Sequence, residues 1–322
     1  MVTADAQNAA GSSSPPAVDW RDPSNWDAAL AVCRARYPVY ELTIGDGTWQ
    51  CIDTGAGAAT LLLLPGAMGF ADTPFHFVLA LAQAMRVIAV GYPPTLTDGD
   101  HLVDGLLGLL DRCGVAATHV VGGSYSGLVA QRLALHHPQQ VASLILANTW
   151  APDPRRAHYF RGASWLIERL PQRLVQRISA RYMDHFLPGA EAATHFWRRY
   201  FAQVLPAFTS QLIVARLRTF ASLDAADWSQ PASDSSSSAM PVLLVESSDD
   251  TLFGATSQAA LRLRYPQAQV TELACRGHAA ALTHVVQYVE LYRDWLGGLA
   301  APPPTQRANS LGTRRTLWQS NV

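Results

Sequence analysis

Residues 118–131 read Thr118-His119-Val120-Val121-Gly122-Gly123-Ser124-Tyr125-Ser126-Gly127-Leu128-Val129-Ala130-Gln131. A β-prone apolar run ends at Gly122 and a helical pattern opens just after Ser124, which places the serine on a strand-to-helix turn. Such a turn crowds the backbone, so it needs small neighbours; Gly122, Ser126 and Gly127 supply them. The helix start behind Ser124 offers unpaired N–H groups and the positive end of a dipole to a developing oxyanion. The stretch departs from G-x-S-x-G only at its last position, where Ser126 is still small. A serine in a glycine-rich turn is by itself more often a helix cap than a nucleophile, so the rest of the chain must supply its partners.

Outward from this turn, short apolar runs alternate with longer helical patterns. Val39–Thr43 and Thr48–Thr54 flank a Gly45-Asp46-Gly47 turn and read as a hairpin. Thr60–Leu64, Arg86–Val90, His119–Val121, Leu144–Ala147 and Val242–Val245 are unalternated and rich in Val, Ile and Leu. Runs of that kind suit strands buried on both faces of a parallel sheet. Helical stretches lie between them, near 74–84, 98–113, 126–136, 258–264 and 279–296. The succession implies an α/β fold: a mostly parallel, eight-stranded sheet with right-handed crossovers and helices on both faces. From about Trp150 to Gln230 no strand-like run occurs, while Arg and aromatic residues recur at helical spacing. This segment reads as a helical lid inserted after the sixth strand, its aromatics serving as core or lining an apolar pocket.

The remaining chemistry follows Ser124 in chain order. The run Pro241-Val242-Leu243-Leu244-Val245-Glu246 is followed by Ser247-Ser248-Asp249-Asp250, a carboxylate pair at a strand's carboxyl end. Asp250 is the first choice for orienting a base, Asp249 the alternate, and Asp153 a third candidate. Ala268–Ala274 resembles a last strand, and His278 stands in the loop after it, directly before the final helix. A serine, an aspartate and a histidine at these three places form the hydrolytic triad Ser124, Asp250 and His278. An oxyanion hole requires two convergent N–H groups. Tyr125, next to the nucleophile, offers one; Ala67, in the Pro65-Gly66-Ala67-Met68 loop after the third strand, offers the other.

The ends of the chain and one internal patch are of low complexity. Residues 1–18 and 299–322 read as a flexible leader and tail, and the serine run at 233–238 as an exposed linker. The expected organisation is a core of 19–149 and 239–298, interrupted by a lid and linker at 150–238. A formal net charge of −1 gives no electrostatic reason to expect nucleic acid or an anionic membrane surface as partner. No apolar run approaches the ~18 residues of a membrane span, and with neither a positive n-region nor an apolar h-region in residues 1–19 no secretion signal is expected. Cys33, Cys51, Cys113 and Cys275 show neither CxxC nor metal-finger spacing. A soluble, cytoplasmic protein without metal or other cofactor is expected, acting on a small-molecule acyl substrate; the oligomeric state is open.

With these parts in place, the chain resembles the α/β-hydrolase superfamily from about Val39 to Leu296. PGAMG, GGSYSG, ESSDD and RGH are the matching motifs. RVIAVGYPP, the GGSYSG turn and SLILANTW are nearer to maspardin-like proteins, over about Leu61–Pro154. Pro65 stands where many members carry the histidine of an HG motif, and Ser126 where glycine is usual. The superfamily resemblance implies a serine hydrolase of ester, thioester or related acyl bonds, with acyl transfer as a variant. The maspardin resemblance implies a second reading, a non-catalytic binding or adaptor protein.

Overall fold

A computed structural model describes residues 18–55, 57–187, 189–229, 240–274 and 277–299, and a backbone pair at 315–316. Residues 1–17 of the leader, the serine run at 233–238, Cys275, Arg276 and most of the tail lie outside the described residues.

Helix α1 (Trp26–Arg36) precedes a hairpin of β1 (Tyr40–Ile44) and β2 (Gly47–Asp53), paired antiparallel about the Gly45-Asp46 turn. Strands β3 (Thr60–Leu64) and β4 (Arg86–Gly91) run parallel, connected through α2 (Phe75–Leu81). The chain then passes through α3 (Gly99–Arg112) to β5 (Thr118–Gly123), which returns to the other side of β3. From β5 it continues through α4 (Tyr125–His136) to β6 (Val141–Ala147). Four helices follow: α5 (Pro154–Arg169), α6 (Gln172–Phe186), α7 (Ala192–Val204) and α8 (Ser210–Ala225). The sheet resumes with β7 (Val242–Ser247), α9 (Ala255–Arg264) and β8 (Gln269–Leu273), and two helices close the fold, α10 (Ala280–Thr283) and α11 (Val285–Gly297).

The spatial order β8-β7-β6-β5-β3-β4-β2-β1 gives the expected eight strands, antiparallel only where β1, β2 and β4 pair. The apolar runs are central because they have no polar face: every residue of β7, and all of β3 and β4 but the first, is buried. Side chains of alternate parity feed two cores. Leu61, Leu63, Val87 and Ala89 pack with α1, α2 and α11, while Leu62, Leu64, Ile88 and Val90 pack with α3 and α4.

The structure differs from expectation in two places. A ninth strand, β9 (Arg315–Thr316), pairs antiparallel with Tyr40 and Glu41 in what reads as plain tail; β1 is otherwise an edge strand whose free backbone groups invite such pairing. The last helix is also broken, because His284 leaves helical geometry at φ −118° and separates α10 from α11.

The sheet order reverses between β3 and β5, where the chain leaves β3 for β4 and then returns to the opposite side. Crevices at the carboxyl ends of strands flanking such a reversal are where open α/β sheets hold ligands. The Pro65–Met68 loop follows β3 and Ser124 follows β5, so both stand at that crevice.

Candidate active site

Ser124 adopts φ 52° and ψ −123°, one of two non-glycine residues with positive φ among those described. This conformation costs on the order of 1–3 kcal/mol and persists only where neighbours over-determine it. Here they do. The Ser124 N–H donates to the Ala147 carbonyl at 3.0 Å, and the Ser124 carbonyl accepts from Gly127 N–H at 3.0 Å and from the Thr149 hydroxyl at 2.7 Å. The turn leaves no room for larger neighbours: a Cβ on Gly122 would stand 2.5 Å from the Ser126 carbonyl, and one on Gly127 2.1 Å from Thr149 Oγ1.

Ser126 does more than stay small. It is fully buried, and its Oγ accepts from Gly123 N–H at 3.0 Å while lying 3.1 Å from the Leu64 carbonyl and 3.0 Å from that of Gly123. A glycine here could not tie the turn to the end of β3, from which the Pro65–Met68 loop departs.

Ser124, His278 and Asp250 come together at the carboxyl edge of the sheet. His278 Nε2 is 2.9 Å from Ser124 Oγ, and its Nδ1 is 2.8 Å from Asp250 Oδ2. The imidazole is nearly enclosed, with Phe186 and Phe253 edge-on at centroid distances of 5.2 and 5.0 Å. Burial works to raise the Asp250 pKa. The bond and charge of His278, the Phe253 N–H and the Asn148 amide outweigh it and hold the carboxyl below its usual value. Its other oxygen accepts from the N–H groups of Leu252 and Phe253 at 2.8 and 3.0 Å.

The alternates fall elsewhere. Asp249 accepts from Gly277 N–H at 2.6 Å and so braces the residue before His278, at a position whose φ of +64° glycine tolerates. Asp153 caps α5 through the Arg155 N–H. Ala67 lies on the wall of the same cavity as Ser124, and Tyr125 is the first residue of α4, where an N–H has no partner one turn back. The Tyr125 ring faces the other core, edge-on to Tyr92 and Phe220.

One further polar residue was not singled out from sequence. Asn148, at φ 45°, donates from Nδ2 to Asp250 Oδ2, Ser247 Oγ and the Gly277 carbonyl, and accepts from the Tyr288 hydroxyl at 2.9 Å. Its only sequence signal is an asparagine directly after a buried strand, a residue type that tolerates left-handed backbone.

A cavity of about 190 Å³ opens on Ser124 and His278. Its walls come from the Pro65–Gly69 loop, from Phe77, and from Met183, Phe186, Trp197 and Phe201 of the inserted helices. Among the described residues no Lys, Arg, Asp or Glu lines it. The aromatic-rich α7 thus serves both purposes expected of it: Phe196 and Tyr200 are buried against the body, while Trp197 and Phe201 also face the cavity.

A strained serine on a strand-to-helix turn, facing an enclosed histidine and a buried carboxylate at a sheet reversal, defines the hydrolase class of α/β proteins. A family model described as alpha/beta hydrolase fold matches residues 96–285, and the chain belongs to that family. It is 29% identical over 212 residues to RutD of Klebsiella pneumoniae, a protein named as a carbamate hydrolase, covering 63% of this chain and 73% of that one. It is 34% identical over 128 residues to rat (Rattus norvegicus) maspardin, covering 37% of this chain and 48% of that one. Among solved structures it is similar in fold to MGS-M2, an alpha/beta hydrolase enzyme from a deep-sea metagenome library. The TM-score there is 0.65 at 17% identity, over 81% of this chain and 98% of that one.

Proposed function

We propose that this hydrolase-family chain is a serine hydrolase that cleaves an ester, thioester or related acyl bond of a small to medium, uncharged, apolar substrate. The observation that carries the reading is the continuous chain Ser124 Oγ–His278 Nε2 and His278 Nδ1–Asp250 Oδ2 at the wall of a cavity without charged residues. His278 takes the Ser124 proton as Oγ bonds to the acyl carbon, and Asp250 stabilises the imidazolium. The N–H groups of Ala67 and Tyr125 hold the oxyanion. His278 then returns the proton to the leaving group as the acyl–leaving-group bond breaks. Water, deprotonated by the same histidine, releases the acid from Ser124. In this reading α5–α8 form the lid, and the scattered free thiols of Cys33, Cys51 and Cys113 suit a reducing compartment such as the cytoplasm.

Kinship to RutD fits this chemistry, because a carbamate is attacked at the same kind of carbonyl. Kinship to maspardin keeps a binding role as the competing reading. Intact mass after exposure to a fluorophosphonate decides between them. The parent should gain one adduct, and Ser124→Ala and His278→Ala none. A folded parent that gains none refutes the hydrolase and favours the binding protein.

A further inference from the structure

A net charge near zero conceals a segregation of charge within the inserted helices. Helices α5 and α6 together carry seven arginines against two carboxylates, in a chain whose totals are 24 basic and 25 acidic residues. Along α6 three stripes run at i, i+4, i+8 spacing, which places each on one line of the helix surface. Val175, Ser179 and Met183 are buried. The adjacent line, Leu174, Ile178 and Tyr182, stands 41–43% exposed although it is apolar. The third line, Arg173, Arg177 and Arg181, is exposed, and none of its members pairs with a described carboxylate.

The helix is therefore apolar on two adjoining lines where packing needs one. Helix α5 adds exposed apolar side chains of its own, Tyr159, Trp165 and Leu166, with the guanidinium of Arg169 lying 4.0 Å from the Trp165 ring centroid. The exposed line is also continuous with the catalytic cavity. Tyr182 belongs to both, and Met183 and Phe186, on the same helix, line the cavity down to His278.

We propose that the outer face of α6, Leu174, Ile178 and Tyr182 flanked by Arg173, Arg177 and Arg181, docks onto an anionic lipid surface and sets the cavity mouth against it. An apolar stripe bordered by arginines matches an interface that is acyl chain below and phosphate above. A water-facing helix has no use for an exposed Ile–Leu–Tyr line, and a partner chosen by apolar contact alone would not call for three unpaired cations. The delivery of an apolar acyl substrate from that surface rests on the proposed function; the docking itself does not.

The test is co-sedimentation of the full-length protein with vesicles of phosphatidylcholine alone and of phosphatidylcholine mixed with phosphatidylglycerol. The Ser124→Ala variant is run in parallel, so that turnover plays no part. Parent and Ser124→Ala should bind the mixed vesicles equally, bind neutral ones weakly, and lose binding as salt rises. R173Q/R177Q/R181Q should weaken binding on the order of a hundredfold. Ile178→Glu should weaken it at least tenfold, and both variants should react with the fluorophosphonate at the parent rate. Equal binding to both vesicle types, no binding, or undiminished binding by Ile178→Glu would each overturn the proposal. So would a concentration-dependent dimer with no affinity for vesicles, which would assign the face to a second copy. A protein that docks but takes no fluorophosphonate would sink the hydrolase reading alone.

Discussion

Asn148 donates its side-chain amide to Asp250 Oδ2 across 3.1 Å, the same oxygen that faces His278. That amide is held in turn by the Tyr288 hydroxyl on its carbonyl oxygen, so a tyrosine of α11 orients the carboxylate through an asparagine after β6. Asn148→Ala should slow modification of Ser124 by a fluorophosphonate roughly 10- to 100-fold, through misplacement of the acid and base. Tyr288→Phe should cost about 1–3 kcal/mol of stability by leaving a buried carbonyl unpaired, with a smaller loss of rate. A rate in Asn148→Ala equal to that of the parent would remove Asn148 from the positioning network.

The two neighbouring aspartates separate by role. Asp250→Ala should lower the rate on the order of 10⁴-fold, the scale of losing the group that orients a catalytic histidine. Asp249→Ala removes the acceptor for Gly277 N–H. It should cost about tenfold or less, about 1.4 kcal/mol, together with faster amide exchange at Gly277. Comparable losses in both variants would mean that the acid has been assigned to the wrong residue.

Much of this arrangement was legible because strand ends and turn residues are local signals. The unbroken apolar runs marked the buried parallel strands, and glycine spacing marked the turn at Ser124. The chain order serine, aspartate, histidine located the three side chains that meet. Asn148, Thr149 and Ser126 were illegible in these roles, because each acts through hydrogen bonds to residues distant in sequence or to the backbone of the turn. The choice between Asp249 and Asp250 depended on how one tight turn after β7 aims two adjacent side chains, and neither residue type nor spacing fixes that. The charged face of α6 was hidden for another reason: a net charge sums over the chain and erases segregation along one helix.

The packing at the serine turn gives a test with a built-in rescue. Gly127→Ala puts a methyl group 2.1 Å from Thr149 Oγ1 and 2.5 Å from its Cβ, in contact with the side chain whose hydroxyl fixes the Ser124 carbonyl. Overpacking of this kind costs about 1–3 kcal/mol, and the reaction with fluorophosphonate should fall with it. Adding Thr149→Gly should restore most of the melting temperature. It should not restore the rate, because the Ser124 carbonyl has lost the Thr149 hydroxyl and keeps only the Gly127 N–H as a donor. Recovery of rate along with stability would show that the Thr149 bond is dispensable.

His76 ties acid sensitivity to one side chain. It is buried against Trp26 and Phe75, with ring centroids 4.2 and 3.7 Å away, and its Nε2 has no hydrogen-bond partner. Burial lowers its pKa to about 3, against about 6.5 in an unfolded chain. Between those values the unfolded state binds a proton that the folded state refuses, so stability falls as the pH drops from 6.5 toward 3. The limiting slope is about 1.4 kcal/mol per pH unit. His76→Phe keeps an aromatic ring in the cluster and abolishes that proton uptake. Its stability, from urea unfolding at a series of pH values, should match or exceed the parent's at pH 7 and decline less steeply below 6.5. Parallel slopes for the two proteins would show that His76 is charged in the fold, and the acid sensitivity would then belong to the carboxylates, Asp250 first among them.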